Sequence, residues 1–571
     1  MKKSSSKKNG SVLIFAAVAV VIVVIVAIVG MFKDSGKSQS QMDYETAKSK
    51  LSNKVKKIGV TEITVEPEKI DVSEYLSVAD ELPDINKSYP LVVIGNTGSS
   101  YSNVEIFSSG EKAAKSGTDA FLTDMAEDFN KENFRTDAGT IMTVSIRSVP
   151  SGTAVEYIST GVYVPAGYSP SNELFGELLI KDGVGVTVVD DRVVGNVAGI
   201  LISKSKYKEM SAKGTVTAET VFDAVVNGEL SMGYSNPYTS ATGINFLMTA
   251  LSTLSPDDML SENAVSKFQA FQANIPLVSY TTQQMTSSAE KGLIDALVSE
   301  YQTYANDSTL TRNFEFIPFG VRHDNPLYAI EVVEHSDEDQ VLKAFAEYCD
   351  QHQDLARKDG FNGMDEYAGS GAKFTGLQVS EAQTIWKEEK ASGKTIVAEF
   401  IVDVSGSMSG EPINNLRAAM KNTMRYISDE HYIGVLAFDD DVYEYLPIDK
   451  FTLEQKTLYN GAVNSLTAAG STGMYDAILV GVDKVIKKCD ELGSNATPII
   501  FVLTDGETNS GNNYSDVKSI LDGLDIPIYS ISYNYSNDEL GKLSNLNEAS
   551  YINGDSENIV YKLKNLFNVE M

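Results

Sequence analysis

Hydrophobic and polar positions divide this chain into three regimes. From Val12 to Val29 no charged or polar side chain occurs, and Gly30, Met31 and Phe32 extend the run. At about 1.5 Å per helical residue it spans about 30 Å, the thickness of bilayer hydrocarbon. Lys2, Lys3, Lys7 and Lys8 precede it. The positive-inside bias therefore predicts a cytoplasmic basic tail over 1–10, a transmembrane signal-anchor helix over 11–32, and an extracellular location for the rest. A cleaved signal peptide is the competing reading. The run ends Val-Gly-Met-Phe-Lys, with no small-x-small site and no lipobox cysteine, which favours an uncleaved anchor. Residues 33–85 read as a tether and juxtamembrane segment, polar and low in complexity at first and then partly helical.

From Tyr89 onward, strand-like apolar runs alternate with helical stripes, the pattern of an α/β protein. A charged seam near 388–394 separates two regions, 86–390 and 395–571. In the second, Thr395–Val402 is a nearly continuous apolar strand, as expected of a strand covered on both faces. A helix follows from about Pro412 to Ser428, with Ile413, Leu416, Met420, Met424 and Ile427 on one stripe. Further strands read at Tyr432–Phe438, Pro498–Leu503 and Ile526–Ser532. The expected fold is a Rossmann-like parallel sheet with helices on both faces, which binds ligands at the carboxyl ends of its strands.

Three oxygen-rich loops fall at such ends. They are Asp403-x-Ser405-x-Ser407, Gly470-Ser471-Thr472 before a helix starting at Met474, and Thr504-Asp505-Gly506. Two carboxylates and three hydroxyls form a hard oxygen set suited to Mg²⁺, which keeps room for an outside ligand. Asp439-Asp440-Asp441 reads as a solvated acidic loop between strands. The region resembles the von Willebrand factor A family, and the three loops match the motif of its metal-ion-dependent adhesion site. That resemblance implies that Ser405, Ser407 and Thr472 coordinate Mg²⁺ (or Mn²⁺ or Ca²⁺) directly, with Asp403 and Asp505 acting through water. It also implies that an acidic residue of a protein partner completes the sphere.

In 86–390, short Ser/Thr clusters recur at helix starts: Ser108-Ser109, Ser151-Gly152-Thr153, Thr239-Ser240-Ala241-Thr242 and Thr281-Thr282. Each is first of all an N-cap. Several converging on one cleft would hold a carboxylate or oxyanion, with Arg147 and Arg322 as helpers or as structural ion-pair partners. The stretch resembles the type II periplasmic or extracellular solute-binding proteins, two α/β lobes around a hinge. The resemblance implies a ligand site at Ser108, Ser109, Thr239, Ser240 and Thr242, to which the helix start adds Ser151 and Thr153. The crowded segment 318–328 (PFGVRHDNPLY) belongs in the hinge or against the pocket.

Charge and chemistry narrow the function. Acidic residues outnumber basic ones 78 to 47, a net charge of −31 that repels phosphate backbones and excludes nucleic acid as a partner. Two cysteines, Cys349 and Cys489, fall in different regions and make no disulfide framework. Four scattered histidines and the absence of phosphate-loop or nucleophile-elbow motifs point to a binding protein rather than an enzyme. The expected function is that of a membrane-anchored extracellular protein that grips a protein partner through the cation site. The alternative is a cell-surface receptor that captures a small anionic or polar solute in the two-lobed region.

Overall fold

The computed structural model describes residues 42–71, 75–275, 277–279, 285, 289, 294–390, 395–493, 495–506, 508–533, 538–544, 551–554 and 559–570. The expected tail over 1–10, the anchor over 11–32 and Thr281-Thr282 lie outside the described residues. Among the described residues no helix is long and apolar enough to cross a membrane.

Three sheets organise these residues. The C-terminal domain is built on one that runs, edge to edge, Val60–Glu62, Val442–Lys450, Tyr432–Phe438, Thr395–Asp403, Ala496–Thr504, Ile528–Tyr533 and Tyr551–Gly554. The sheet is mixed, which corrects the all-parallel expectation. Val442–Lys450 runs antiparallel to Tyr432–Phe438 because only the three aspartates 439–441 join them, and so short a link allows nothing but a hairpin. Thr395–Asp403 lies at the centre, parallel to both neighbours and buried from Ile396 to Asp403, as its continuous apolar pattern requires.

The juxtamembrane segment is the larger correction. Residues 42–71 and 75–77 are not a tether but pack onto the C-terminal domain, while Leu82 already enters the core of the two-lobed region. Asp43 caps the helix Tyr44–Val55 through Thr46, and that helix buries Ala47 and Leu51 among Ile520, Leu521 and Leu524. Val60–Glu62 then adds a parallel edge strand beside Val442–Glu444. Asn460 donates to the Lys69 carbonyl (3.0 Å), and the Leu76 amide donates to Asn422 Oδ1 (2.7 Å). Buried Glu81 accepts from Arg425 and from Tyr426. The two-lobed region is thus inserted between the first elements of this domain and its remainder. This stretch looked like tether because its partner surface lies hundreds of residues downstream.

The inserted region is two-lobed, as expected. One lobe holds the sheet Leu91–Val93, Ile141–Ser148, Tyr101–Ser108, Gly167–Ser169, Leu327–Ile330 and Val186–Asp190. The other holds Phe314–His323, Asn196–Ser203, Ala296–Glu300, Met232–Ser235 and Leu277–Ser279. Between its sheets the chain crosses after Asp190 and after His323, so within 318–328 the crossing is Asp324–Pro326, flanked by the end of one strand and the start of another. Buried Asn325 adopts the left-handed conformation there (φ 49°), and its amide donates to the Val194 and His323 carbonyls, tying both crossings together. The chain returns through Gly376–Glu389, opened by a Thr375/Gln378 capping box and anchored by fully buried Trp386, whose indole donates to Tyr234.

One polar residue sits inside the central strand of the C-terminal sheet. Glu399 is fully buried, neither carboxyl oxygen has a hydrogen-bond partner, and a Cβ on facing Gly434 would lie 2.7 Å from Oε1. Burial pushes its carboxyl well above the ordinary value, against the pull of Lys484. A folded-state value above the unfolded one means that the stabilising proton is fully held below the unfolded value and lost as pH rises through the folded one. Urea denaturation at about pH 5 and about pH 8 should therefore show Glu399→Gln gaining on the wild type toward the higher pH, by up to ~1.4 kcal/mol per pH unit. Parallel pH slopes for the two proteins would refute a protonated Glu399.

Candidate functional site

The three oxygen-rich loops of the C-terminal domain meet at the carboxyl end of its sheet. Asp403, the last residue of the central strand, is fully buried and accepts from the Ser405 amide (2.7 Å) and from the Thr504 hydroxyl. Ser405 Oγ lies 3.0 Å from Ser407 Oγ, and Ser407 donates to Asp505 Oδ1 (2.7 Å). A continuous hydrogen-bonded chain therefore runs from buried Asp403 through two serines to half-buried Asp505.

Backbone contacts draw in the second loop. The Gly406 amide donates to the Gly470 carbonyl (3.0 Å), and Thr472 is held on both sides by Asn509. Gly470 is left-handed (φ 74°) and packs against Asp439, where a Cβ would lie 3.0 Å away. The acidic loop is more than a solvated turn: the Asp439 carbonyl accepts from the Gly473 amide (2.7 Å) and Asp440 from the Ser471 amide (3.2 Å). Those two residues shape the Thr472 loop.

Burial pushes the Asp403 carboxyl above its usual range, with hydrogen bonds from Ser405 and Thr504 opposing the shift. Burial also raises Asp505, opposed by Ser407. Two carboxyls that resist ionisation, beside hydroxyls that can turn their lone pairs outward, make a donor set that fits a small hard divalent cation, whose charge would reverse both shifts.

A second site lies between the lobes. A cavity of about 580 Å³ is lined by Ser109, Ser151, Thr153, Thr239, Ser240 and Thr242, so six of the seven predicted ligand residues converge. Ser108 does not: its side chain is fully buried away from the cavity and donates to the Ser109 carbonyl. It ends a strand, where side chains alternate faces, so Ser108 and Ser109 cannot both point into the cleft. Ser240 is an N-cap as well, accepting from the Gly243 amide (3.2 Å), whereas Ser151 caps nothing and its helix begins after Pro150. Arg147 and Arg322 are structural, the first pairing with Glu105 (2.6 Å) and the second with Asp324 (2.9 Å).

The residues that set the character of this cavity were not singled out from the sequence. Glu111 and Glu300 line it, as do Ser171 and Tyr561. Ser109 and Ser171 both donate to Glu111 Oε1, while fully buried Lys112 donates to Ser109 (2.6 Å) and the Ser169 carbonyl (2.9 Å). Glu300 accepts from Thr242 (3.1 Å), Asn196 (2.6 Å) and His323 (2.8 Å). Backbone carbonyls fix the amides of Asn172 and Asn245, both of which present N–H to His323 Nε2. The imidazole thus accepts at Nε2 and donates to Glu300 from Nδ1. Across the cleft, the Gly152 amide donates to the Thr239 carbonyl (3.2 Å), so a helix-start N–H expected to meet a ligand is already used.

Comparison with known proteins divides the chain in the same way. Residues 399–569 match the von Willebrand factor type A domain, and residues 112–362 match the bacterial extracellular solute-binding protein family. The chain joins these two domain types. Among curated relatives, human inter-alpha-trypsin inhibitor heavy chain H3 is 26% identical over 170 residues, 28% of this chain. An uncharacterised Synechocystis protein, sll0103, is 28% identical over 119 residues, covering 20% of this chain and 26% of that protein. The match spans only 19% of the heavy chain's length. Of solved structures, a periplasmic thiamin binding protein is covered to 99% by 52% of this chain, at 10% identity and a TM-score of 0.39. A von Willebrand factor type A protein from Catenulispora acidiphila aligns over 31% of this chain and 42% of its own, at 17% identity and a TM-score of 0.28.

The cavity floor generates a stability test. Burial alone would raise the Glu111 carboxyl, but the Lys112 ammonium and the Ser109 and Ser171 hydroxyls outweigh it and hold it below its ordinary value. A depressed carboxylate contributes stability above its unfolded value and loses it as pH falls through the folded one. Glu111→Gln, by leaving buried Lys112 with only the more distant pull of Glu300, should cost up to about 3 kcal/mol in urea denaturation near neutral pH, and less in acid. Adding Lys112→Met should restore most of the loss, and an uncorrected double variant would refute the pairing.

Proposed function

We propose that this is an extracellular binding protein whose A domain grips an acidic side chain of a protein partner through a divalent cation, Mg²⁺ first among candidates. One observation carries the reading: the hydrogen-bonded chain from Asp403 through Ser405 and Ser407 to Asp505, with the Thr472 loop tied to it by Gly406 and Gly470. Ser405, Ser407 and Thr472 would hold the cation, and Asp403 and Asp505 would orient them and its waters. When bound, the cation supplies an open position for the partner's carboxylate. Binding rather than catalysis is proposed, with the apolar run over 11–32 as the anchor on which the domains are displayed.

Thermal unfolding of the full chain in mild detergent, with Mg²⁺, Mn²⁺ or EDTA, tests this. At a hundredfold excess over its dissociation constant, a cation that binds only the folded state stabilises it by about 2.7 kcal/mol. The rise should vanish in Asp403→Ala and in Thr472→Val. It should also shrink as pH falls, because burial keeps protons on Asp403 and Asp505 above the usual carboxylate range. A wild type indifferent to every cation would sink the reading.

A second reading, solute capture by the cleft, is favoured by how its hydroxyls are spent. Ser109, Ser171 and Thr242 commit their protons to Glu111 and Glu300 and are left to act as acceptors, although Ser109 already accepts from Lys112. That lining suits a small solute rich in hydrogen-bond donors, such as an amine, better than an oxyanion. Calorimetric titration should give heat with ethanolamine or putrescine and none with sulfate, and the reverse would restore the oxyanion.

A further inference from the structure

The last helix, Ile559–Glu570, belongs to two cores at once. Ile559, Leu563, Leu566 and Phe567 recur at helical spacing and pack into the A domain, where Phe567 meets Phe400 and Phe501 at ring separations of 5.4 and 5.2 Å. Tyr561, on another face of the same helix, packs into the core of the solute-binding domain instead. Its phenol donates to Thr153 Oγ1 (3.0 Å), a hydroxyl of the ligand cleft. One turn on, buried Lys564 pairs with Glu156 of that domain (2.8 Å) and reaches Glu81 (3.6 Å). Lys562 and Asn565 line the same cavity as Ser109, Glu111, Thr239 and Glu300.

We propose that the solute site has three walls rather than two: both lobes, and the last helix of the A domain, which presents Tyr561, Lys562 and Asn565 to the solute. This inference rests on the solute-capture reading and deepens it. A clamshell alone would leave this side of its cleft to solvent. Here it is closed by side chains whose helix is fixed in another domain. The volume that remains with the helix seated is within the range of small-molecule sites, so the helix bounds the site without filling it. Recognition then includes a cationic side chain at the edge of a cavity floored by two carboxylates. A solute that touches all three walls also touches a helix that enters the A-domain core, which gives the two domains a direct mechanical link.

The test needs no identified solute. In a Cys489→Ser background, where Cys349 stays buried with its thiol pushed far above the usual range, Thr239→Cys places one reactive thiol in the cavity. Its rates of modification by the cationic 2-aminoethyl and the anionic 2-sulfonatoethyl methanethiosulfonates are measured on the full chain. Lys562→Glu should raise the cationic-to-anionic rate ratio at least about threefold, because a cavity with low-dielectric walls focuses the field of the charges that line it. Lys518→Glu, the same charge change on an exposed A-domain helix, should leave the ratio alone. Matching melting curves for the variants exclude misfolding. If the thiol reacts but ignores residue 562, the third wall is overturned while the cleft stands. If neither reagent reaches the thiol, the cleft reading falls and takes the third wall with it.

Discussion

A single amphipathic helix must satisfy two hydrophobic cores, and the arrangement of the molecule follows from that constraint. Ile559–Glu570 can bury Leu563, Leu566 and Phe567 only against the A-domain sheet, and Tyr561 only against the solute-binding domain. With both faces committed, the helix joins the two domains, which also meet directly where Lys387 lies over the Tyr426 ring. Glu81, buried where the chain leaves the A domain for the insertion, reinforces the junction by accepting from Arg425 and Tyr426 and by facing Lys564. Removing Glu81 would take a partner from Arg425, Tyr426 and Lys564 at once, although Lys564 keeps Glu156, so the junction is costlier to break there than a surface ion pair.

The same economy of oxygen atoms shapes both candidate sites. In the A domain, Ser405 and Ser407 link buried Asp403 to half-buried Asp505, two carboxyls whose ionisation is opposed by desolvation, a state that a cation would relieve. In the cleft, hydroxyl protons are drawn to Glu111 and Glu300, and this decides what the cavity shows a ligand. A serine-rich lining is therefore not diagnostic of an anion site. What counts is where each single hydroxyl proton goes, and that depends on carboxylates beside and beneath it.

The insertion also gives the first described elements their place: the helix buries Ala47 and Leu51, while the strand after it is exposed along its length. Helix Tyr44–Val55 and strand Val60–Glu62 complete the A-domain surface before the chain departs for more than three hundred residues and returns at Thr395. Gly523 lets the start of that first helix come close, since a Cβ there would stand 2.8 Å from the Met42 carbonyl. The docked segment sets where the clamshell emerges, and the last helix sets where it comes to rest.

What the sequence determined by itself is what is local. Apolar periodicity located the strands and helices of both domains, and the candidate cation site was legible because each of its loops is a contiguous motif at the end of a readable strand or the start of a readable helix. Asp403, Ser405, Ser407, Thr472 and Asp505 converge because an open α/β sheet brings strand ends to one crevice. Six of the seven cleft residues were legible for a similar reason, as clusters at helix starts. Only the tertiary structure decided the rest. Glu111 meets Ser171 across 60 residues, and Tyr561 meets Thr153 across 408. The helix Tyr44–Val55 and the strand Val60–Glu62 find their partner surfaces more than three hundred residues downstream. Such pairings leave no periodic trace along the chain, because they depend on which surfaces remain uncovered after each domain has formed its own core.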